Sequence, residues 1–207
     1  MIQQPAVDEA RPAVDEARPA NRGPKAAAGN RAALVAAARE VYAADGLDAP
    51  LSRIARRAGV GQGVLYRHFP DRDDIAAAVL GENVRQVEQA AAAEGATLAG
   101  VLGVVTWHLT QSAAFIGFLH ADGASGRFRA QVRARELSGR VERAVRGCLP
   151  EGHRLGAPDA PDDLMLAVAM VSGAVTGPTR EERERRALAG WRLLGVTVGP
   201  VRPFEGR

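Results

Sequence analysis

LSRIARRAGVGQGVLYRHF, residues Leu51 to Phe69, reads as a short helix, a glycine turn and a second short helix. Leu51, Ile54, Ala55 and Ala58 recur at i, i+3, i+4 and i+7, one face of an α-helix. Gly59 ends that helix, Val60 turns inward, and Leu65 and Phe69 continue the apolar side. Helices this short are unstable alone, so these side chains gain burial only by packing on one another and on a preceding helix. Gln62, Val64, Tyr66, Arg67 and His68 are then left mostly facing outward. Arg53, Arg56, Arg57 and Arg67 carry the charge of the stretch, and it contains no acid. A solvated helix face usually mixes signs. A one-signed face suits a polyanion such as duplex DNA, because each neutralised phosphate releases counterions.

Upstream, Leu34, Ala38, Val41 and Tyr42 mark one face of a helix over about residues 26–44. Gly46 follows it as a left-handed cap, and Pro50 suits the first turn of the next helix, where a missing N–H costs nothing. Residues 1–25 hold a perfect tandem heptad, AVDEARP at 6–12 and again at 13–19. A proline in every repeat breaks each helical turn, so the segment reads as a disordered tail despite its coiled-coil period. The basic Asn21–Lys25 segment reads either as a flexible arm able to reach DNA or as a plain linker.

Ile54-Ala55, Ala58-Gly59-Val60, Leu65-Tyr66 and His68-Phe69 together resemble the N-terminal signature of the TetR family of transcriptional regulators, over about residues 30–80. The resemblance implies an all-α fold: a three-helix N-terminal helix-turn-helix domain, then a C-terminal helical bundle that dimerises and binds a small effector. It also implies a DNA-binding set of Ser52, Arg53, Gln62, Val64, Tyr66, Arg67, His68 and Arg72. Gln62 would read base edges and Val64 would touch a thymine methyl; Tyr66, His68 and Arg72 would hold phosphates, and Arg67 fits either role. Bland readings stand beside these. Tyr66 can pack with its hydroxyl outward, His68 can be a capping residue, and Arg56 and Arg57 can be solvated charges. Gly61 and Val64 depart from the family, which often has Ser or Thr opening the reading helix and a Thr before Leu-Tyr, so no operator sequence carries over.

Downstream, Asp71 caps a long helix running to about Ala93, with Ile75, Val79, Leu80, Val84 and Val87 inward. Thr97 caps a helix to about His120, in which Trp107, His108, Phe115 and Phe118 form a candidate effector pocket, although each of them also fits an ordinary helical core. Arg127–Cys148 reads as an arginine-rich helix that is solvated or meets acidic neighbours. An apolar helix from Asp163 and a last helix capped by Thr179 would supply half of a four-helix dimer interface through Val168, Val171, Val175, Leu188 and Trp191. The implied division is a tail over 1–25, a helix-turn-helix domain over 26–80, an effector and dimerisation domain over 81–196, and a loose tail over 197–207.

Composition narrows the function classes. The chain has 207 residues, 46% hydrophobic and only 4% aromatic, so its core is aliphatic and Ala-rich, which favours helix. Cys148 stands alone, excluding an internal disulfide. No signal-peptide pattern opens the chain and no apolar run is long enough to span a bilayer, so a cytoplasmic protein is expected, with no membrane partner. The four histidines lack metal-ligand spacing, no phosphate loop occurs, and Gly59, Gly61 and Gly63 follow a helix where a dinucleotide fingerprint needs a strand. The expectation is therefore no enzyme and no cofactor. It is a homodimeric regulator, a repressor, with double-stranded DNA and an unknown small-molecule effector as partners. The alternative is an all-helical ligand-binding or dimerisation protein without sequence-specific DNA binding.

Overall fold

The computed structural model describes residues 24–111, 128–156 and 163–206. Among the described residues the chain is all-helical, with no strand. The helices are α1 (Pro24–Asp45), α2 (Leu51–Arg57), α3 (Gln62–His68), α4 (Arg72–Ala92), α5 (Leu98–Gln111), α6 (Phe128–Arg146), α7 (Asp163–Ala174) and α8 (Arg180–Leu193), with a 3-10 turn at Arg154–Gly156. The tandem heptad, Phe115 and Phe118 lie outside the described residues.

The buried apolar side chains form two clusters. One joins Leu34, Ala38, Val41 and Tyr42 of α1 to Ile54, Ala55, Leu65, Phe69, Ile75 and Val79. The other starts one residue later on α4, at Leu80, and takes in Val84, Val87, Leu102, Val105, Leu109, Val141, Val168 and Trp191. Helix α4 is thus the rod shared by an N-terminal head and a C-terminal body, its first turns in one core and its later turns in the other. Its start is fixed by Asp71, whose carboxylate accepts from the Asp74 N–H at 2.8 Å.

In the body, α4 packs on α5 and α6, and α8 packs on α5 and α7. Helix α8 begins at the Thr179 cap, which accepts from the Glu182 N–H, and ends at Gly195, with φ +66°. The Gly195 N–H donates to Arg192 O and the Val196 N–H to Trp191 O, the paired bonds of a Schellman stop, and Val196 folds back into the core. Arg183 ties α8 to the end of α5, donating through Nε to Thr110 O at 3.0 Å and through Nη1 to Gly177 O at 3.1 Å. Helix α6 meets an acidic neighbour as expected: Arg140 forks onto Glu88 of α4 at 2.8 and 2.6 Å. That contact holds the Glu88 carboxyl below its usual range.

The C-terminal stretch corrects the sequence reading. Residues 197–207 were expected to be loose, yet Val198 and Phe204 pack on the body core. The Gly199 N–H donates to Ala99 O at 2.8 Å, and Pro200 O lies 2.5 Å from where a Cβ on Gly103 would sit. The strap lies backbone-to-backbone on α5 because Gly103 and Gly199 carry no side chains. Gly103→Ala gains helix propensity but drives a methyl into a backbone carbonyl. We expect a net loss of about 1–2 kcal/mol in urea unfolding, as for a mild overpacking.

Candidate functional site

The turn between α2 and α3 is built by hydrogen bonding around one glycine. Gly59, at φ +68°, donates to Arg56 O at 3.2 Å, and Val60 donates to Ala55 O at 3.0 Å. These are the two bonds of a Schellman motif, and a glycine at its left-handed position avoids the Cβ penalty. Val60 then packs against the head core, and α3 starts at Gln62. Of α3, only Leu65 is fully buried. Gln62, Gly63, Tyr66 and Arg67 are exposed, Tyr66 by 51% despite its apolar ring, while Val64 and His68 are half-buried. The Arg67 Nε–H donates to Gly63 O at 3.2 Å along the helix. Phe69 plugs the far end of α3 into the core, with the Arg31 guanidinium 5.2 Å from its ring centroid.

Ser52 and Arg53 are exposed on the first turn of α2. The acid-free stretch is less one-signed in space than along the chain. Helix α1 brings Asp45 to within 3.0 Å of Arg53, and Glu40 against Arg57, whose Nε donates to it at 2.6 Å. Exposed pairs of this kind are worth about 0–1 kcal/mol, so they open readily to a phosphate.

Arg72 has a structural role that the sequence did not show. Expected as a phosphate ligand, its guanidinium donates through Nη1 to Ala49 O at 2.6 Å and to Leu47 O. It satisfies two carbonyls of the α1–α2 connection and ties the start of α4 to it. Sequence reading could not see this, because the acceptors are backbone groups 23 and 25 residues away.

The expected effector-pocket residues separate. Trp107 is half-buried and stands edge-on to His108, with ring centroids 4.8 Å apart, whereas His108 is 1% exposed. Phe115 and Phe118 lie outside the described residues. Burial pushes the His108 imidazole down to about 3, with the Arg39 charge adding to the drop. The folded protein therefore takes up this proton far later than the unfolded chain, whose histidine titrates near 6.5. Stability should be full above that value and fall as pH drops toward 3, by up to about 1.4 kcal/mol per pH unit. Urea midpoints compared at pH 7.5 and 5 should show the loss, and His108→Gln should flatten it.

The expected dimer residues are a second correction. Val168, Val171, Val175 and Trp191 are 0–5% exposed within a single chain, filling the body core between α5, α7 and α8. The Trp191 indole N–H donates to Thr106 Oγ1 at 2.9 Å, and that hydroxyl donates to Leu102 O at 2.7 Å. Leu188 is half-buried. The apolar surface left uncovered is the other side of the pair: Leu166 at 56%, Met170 at 55% and Leu193 at 85% exposure. Leu166 and Met170 are four residues apart on α7, one face of that helix. The sequence identified α7 as apolar, but not which side its own chain covers.

Sequence reading also missed polar groups at the seam of head and body. Arg39, Asn83 and Gln86 carry side-chain atoms that are fully buried. Asn83 offered a signal, as the polar residue beside Val79 and Val84 on the buried face of α4.

Residues 34–79 match the family model for bacterial regulatory proteins of the tetR family. No curated protein sequence matches the chain. Among solved structures, a TetR transcriptional regulator from Streptomyces coelicolor is similar at 26% identity and a TM-score of 0.52, covering 81% of this chain and 98% of its own. Salmonella enterica GusR shares the fold at 17% identity and a TM-score of 0.53, covering 80% of this chain and 93% of its own. None of the described helices is long and apolar enough to cross a membrane. Motif, turn geometry and helix order agree, and residues 34–79 are similar to the N-terminal domain of the tetR family of bacterial regulatory proteins.

Proposed function

We propose that this transcription regulator is a homodimeric, one-component repressor that reads a pseudo-palindromic operator and is released by a small-molecule effector. One observation carries the reading. A rigid two-bond glycine turn presents α3 with Gln62, Tyr66 and Arg67 exposed, and no acid lies between Leu51 and Phe69. Gln62 opens α3, where its amide suits an adenine edge; Tyr66 and Arg67 suit phosphates, and Ser52 and Arg53 reach the backbone from α2. The head would comprise residues 26–80 and the body 81–196, with the division on α4. Two heads about 34 Å apart would enter successive major grooves. An effector in the body near Trp107 would release DNA to the extent that it binds one head spacing better than the other.

The dimer would form through the exposed face of α7 and the end of α8. A Leu166→Glu/Met170→Glu variant buries no charge in the monomer. It should therefore keep its helix content while moving from dimer to monomer in analytical ultracentrifugation, and its DNA affinity should fall with the lost second head. Salt-dependent binding to duplex DNA from the chain's own upstream region tests the function. Affinity falling steeply with salt supports it, and a wild type that binds duplex no better than a neutral helical protein refutes it.

A further inference from the structure

The seam of head and body holds a guanidinium with no ion pair among the described residues. Arg39, on α1, has its Nε and Nη2 fully buried and without a hydrogen-bond partner among the described residues. The acid whose charge acts on it is Glu82 on α4, but that carboxylate is engaged elsewhere, one oxygen accepting from Arg85 Nε at 2.8 Å and the other from Arg85 Nη2. Burial and the Arg85 charge both disfavour the Arg39 cation, and the Glu82 charge offsets them only in part. Asn83 and Gln86 of α4 also carry amide oxygens that are buried without a partner among the described residues. His108 of α5 completes the wall, close enough to Arg39 and Glu82 for both charges to act on it, and burial keeps it neutral.

Nε and Nη2 form the side-on edge of a guanidinium, two parallel N–H groups spaced to match the two oxygens of a carboxylate. A buried charge left unpaired is costly, and a buried polar group without a partner calls for a ligand or an ion that completes it. We propose that the Arg39 edge at the α1–α4–α5 seam is a binding site for a small oxyanion, of which an organic carboxylate is the best geometric match. The carboxylate takes the two N–H groups, and its charge offsets the cost of burying the cation. Since the edge is closed over by its own chain, an occupant enters when α1 and α4 part locally, so binding is slow and stabilises the closed seam.

Differential scanning fluorimetry of the full-length protein tests this without DNA. Acetate and sulfate are titrated at constant ionic strength against chloride, which separates an organic acid from an inorganic oxyanion. Arg39→Lys, which keeps the charge and loses the fork, and Arg39→Met, which removes both, run beside the wild type. We expect a saturable rise in Tm with acetate in the wild type, weakened at least tenfold in midpoint concentration by Arg39→Lys and abolished by Arg39→Met. Saturation matters, because excluded ions raise Tm without it. A saturable rise with sulfate alone would keep the oxyanion site and overturn the carboxylate preference. The site itself is overturned if neither ion gives a saturable rise in the wild type, or if the rise survives in whichever variant folds.

Discussion

A Tyr66→Ala/Arg67→Ala double variant should lose operator affinity by roughly 30- to 1,000-fold, from about 2–4 kcal/mol of lost contacts, while its thermal stability stays near that of the wild type. The two halves of this expectation have separate causes. Both side chains are exposed, and the only described bond of the Arg67 guanidinium is to a carbonyl of its own helix. Their removal therefore leaves no buried group unsatisfied and no cavity. The core of the reading unit, Leu65 with Phe69, is untouched. Fluorescence anisotropy on a labelled operator duplex, with melting curves of the free protein, separates lost contacts from lost structure. Equal affinities for variant and wild type would remove α3 from the interface.

Trp191→Ala should cost about 3–5 kcal/mol of stability, the range for truncating a buried aromatic, and lower Tm by roughly 6–20 °C in a chain of this size. Trp191 is fully buried, and its indole holds α8 to α5 through the Thr106 hydroxyl. Truncation leaves a cavity and takes a partner from that hydroxyl. Trp191→Phe keeps most of the volume and loses the indole bond, so it should cost about 1–3 kcal/mol. Chemical unfolding of both variants measures the two effects separately. A Trp191→Ala protein as stable as the wild type would mean that α8 is not anchored there.

The head was legible because its signals are local. Ile54, Ala55, Gly59 and Leu65 lie within twelve residues, each with a conformation set by its near neighbours, and the structure places each as the spacing requires. Caps were legible for the same reason: Asp71 and Thr179 act on N–H groups three residues away. What escaped sequence reading depends on residues distant along the chain. The bonds of Arg72 to the Leu47 and Ala49 carbonyls exist only once the fold delivers those carbonyls to it. The apolar stripes of α7 and α8 were correct as stripes, but Val168, Val171, Val175 and Trp191 turned out to be claimed by their own chain, leaving Leu166, Met170 and Leu193 outside. The C-terminal strap was missed because its docking rests on backbone contact with Gly103, which no hydrophobic pattern records. The polar seam around Arg39 was missed because burial of polar side chains is a property of the packed helices, not of any one of them.

Selection of bound sequences from a random duplex pool tests the central claim most directly. A dimer carrying two α3 reading helices predicts enrichment of an inverted repeat, with half-site centres separated by about 10 base pairs or a multiple of one helical turn, and loss of that enrichment in the Tyr66→Ala/Arg67→Ala variant. No enrichment by the wild type, or enrichment of sequences without two-fold symmetry, would contradict it.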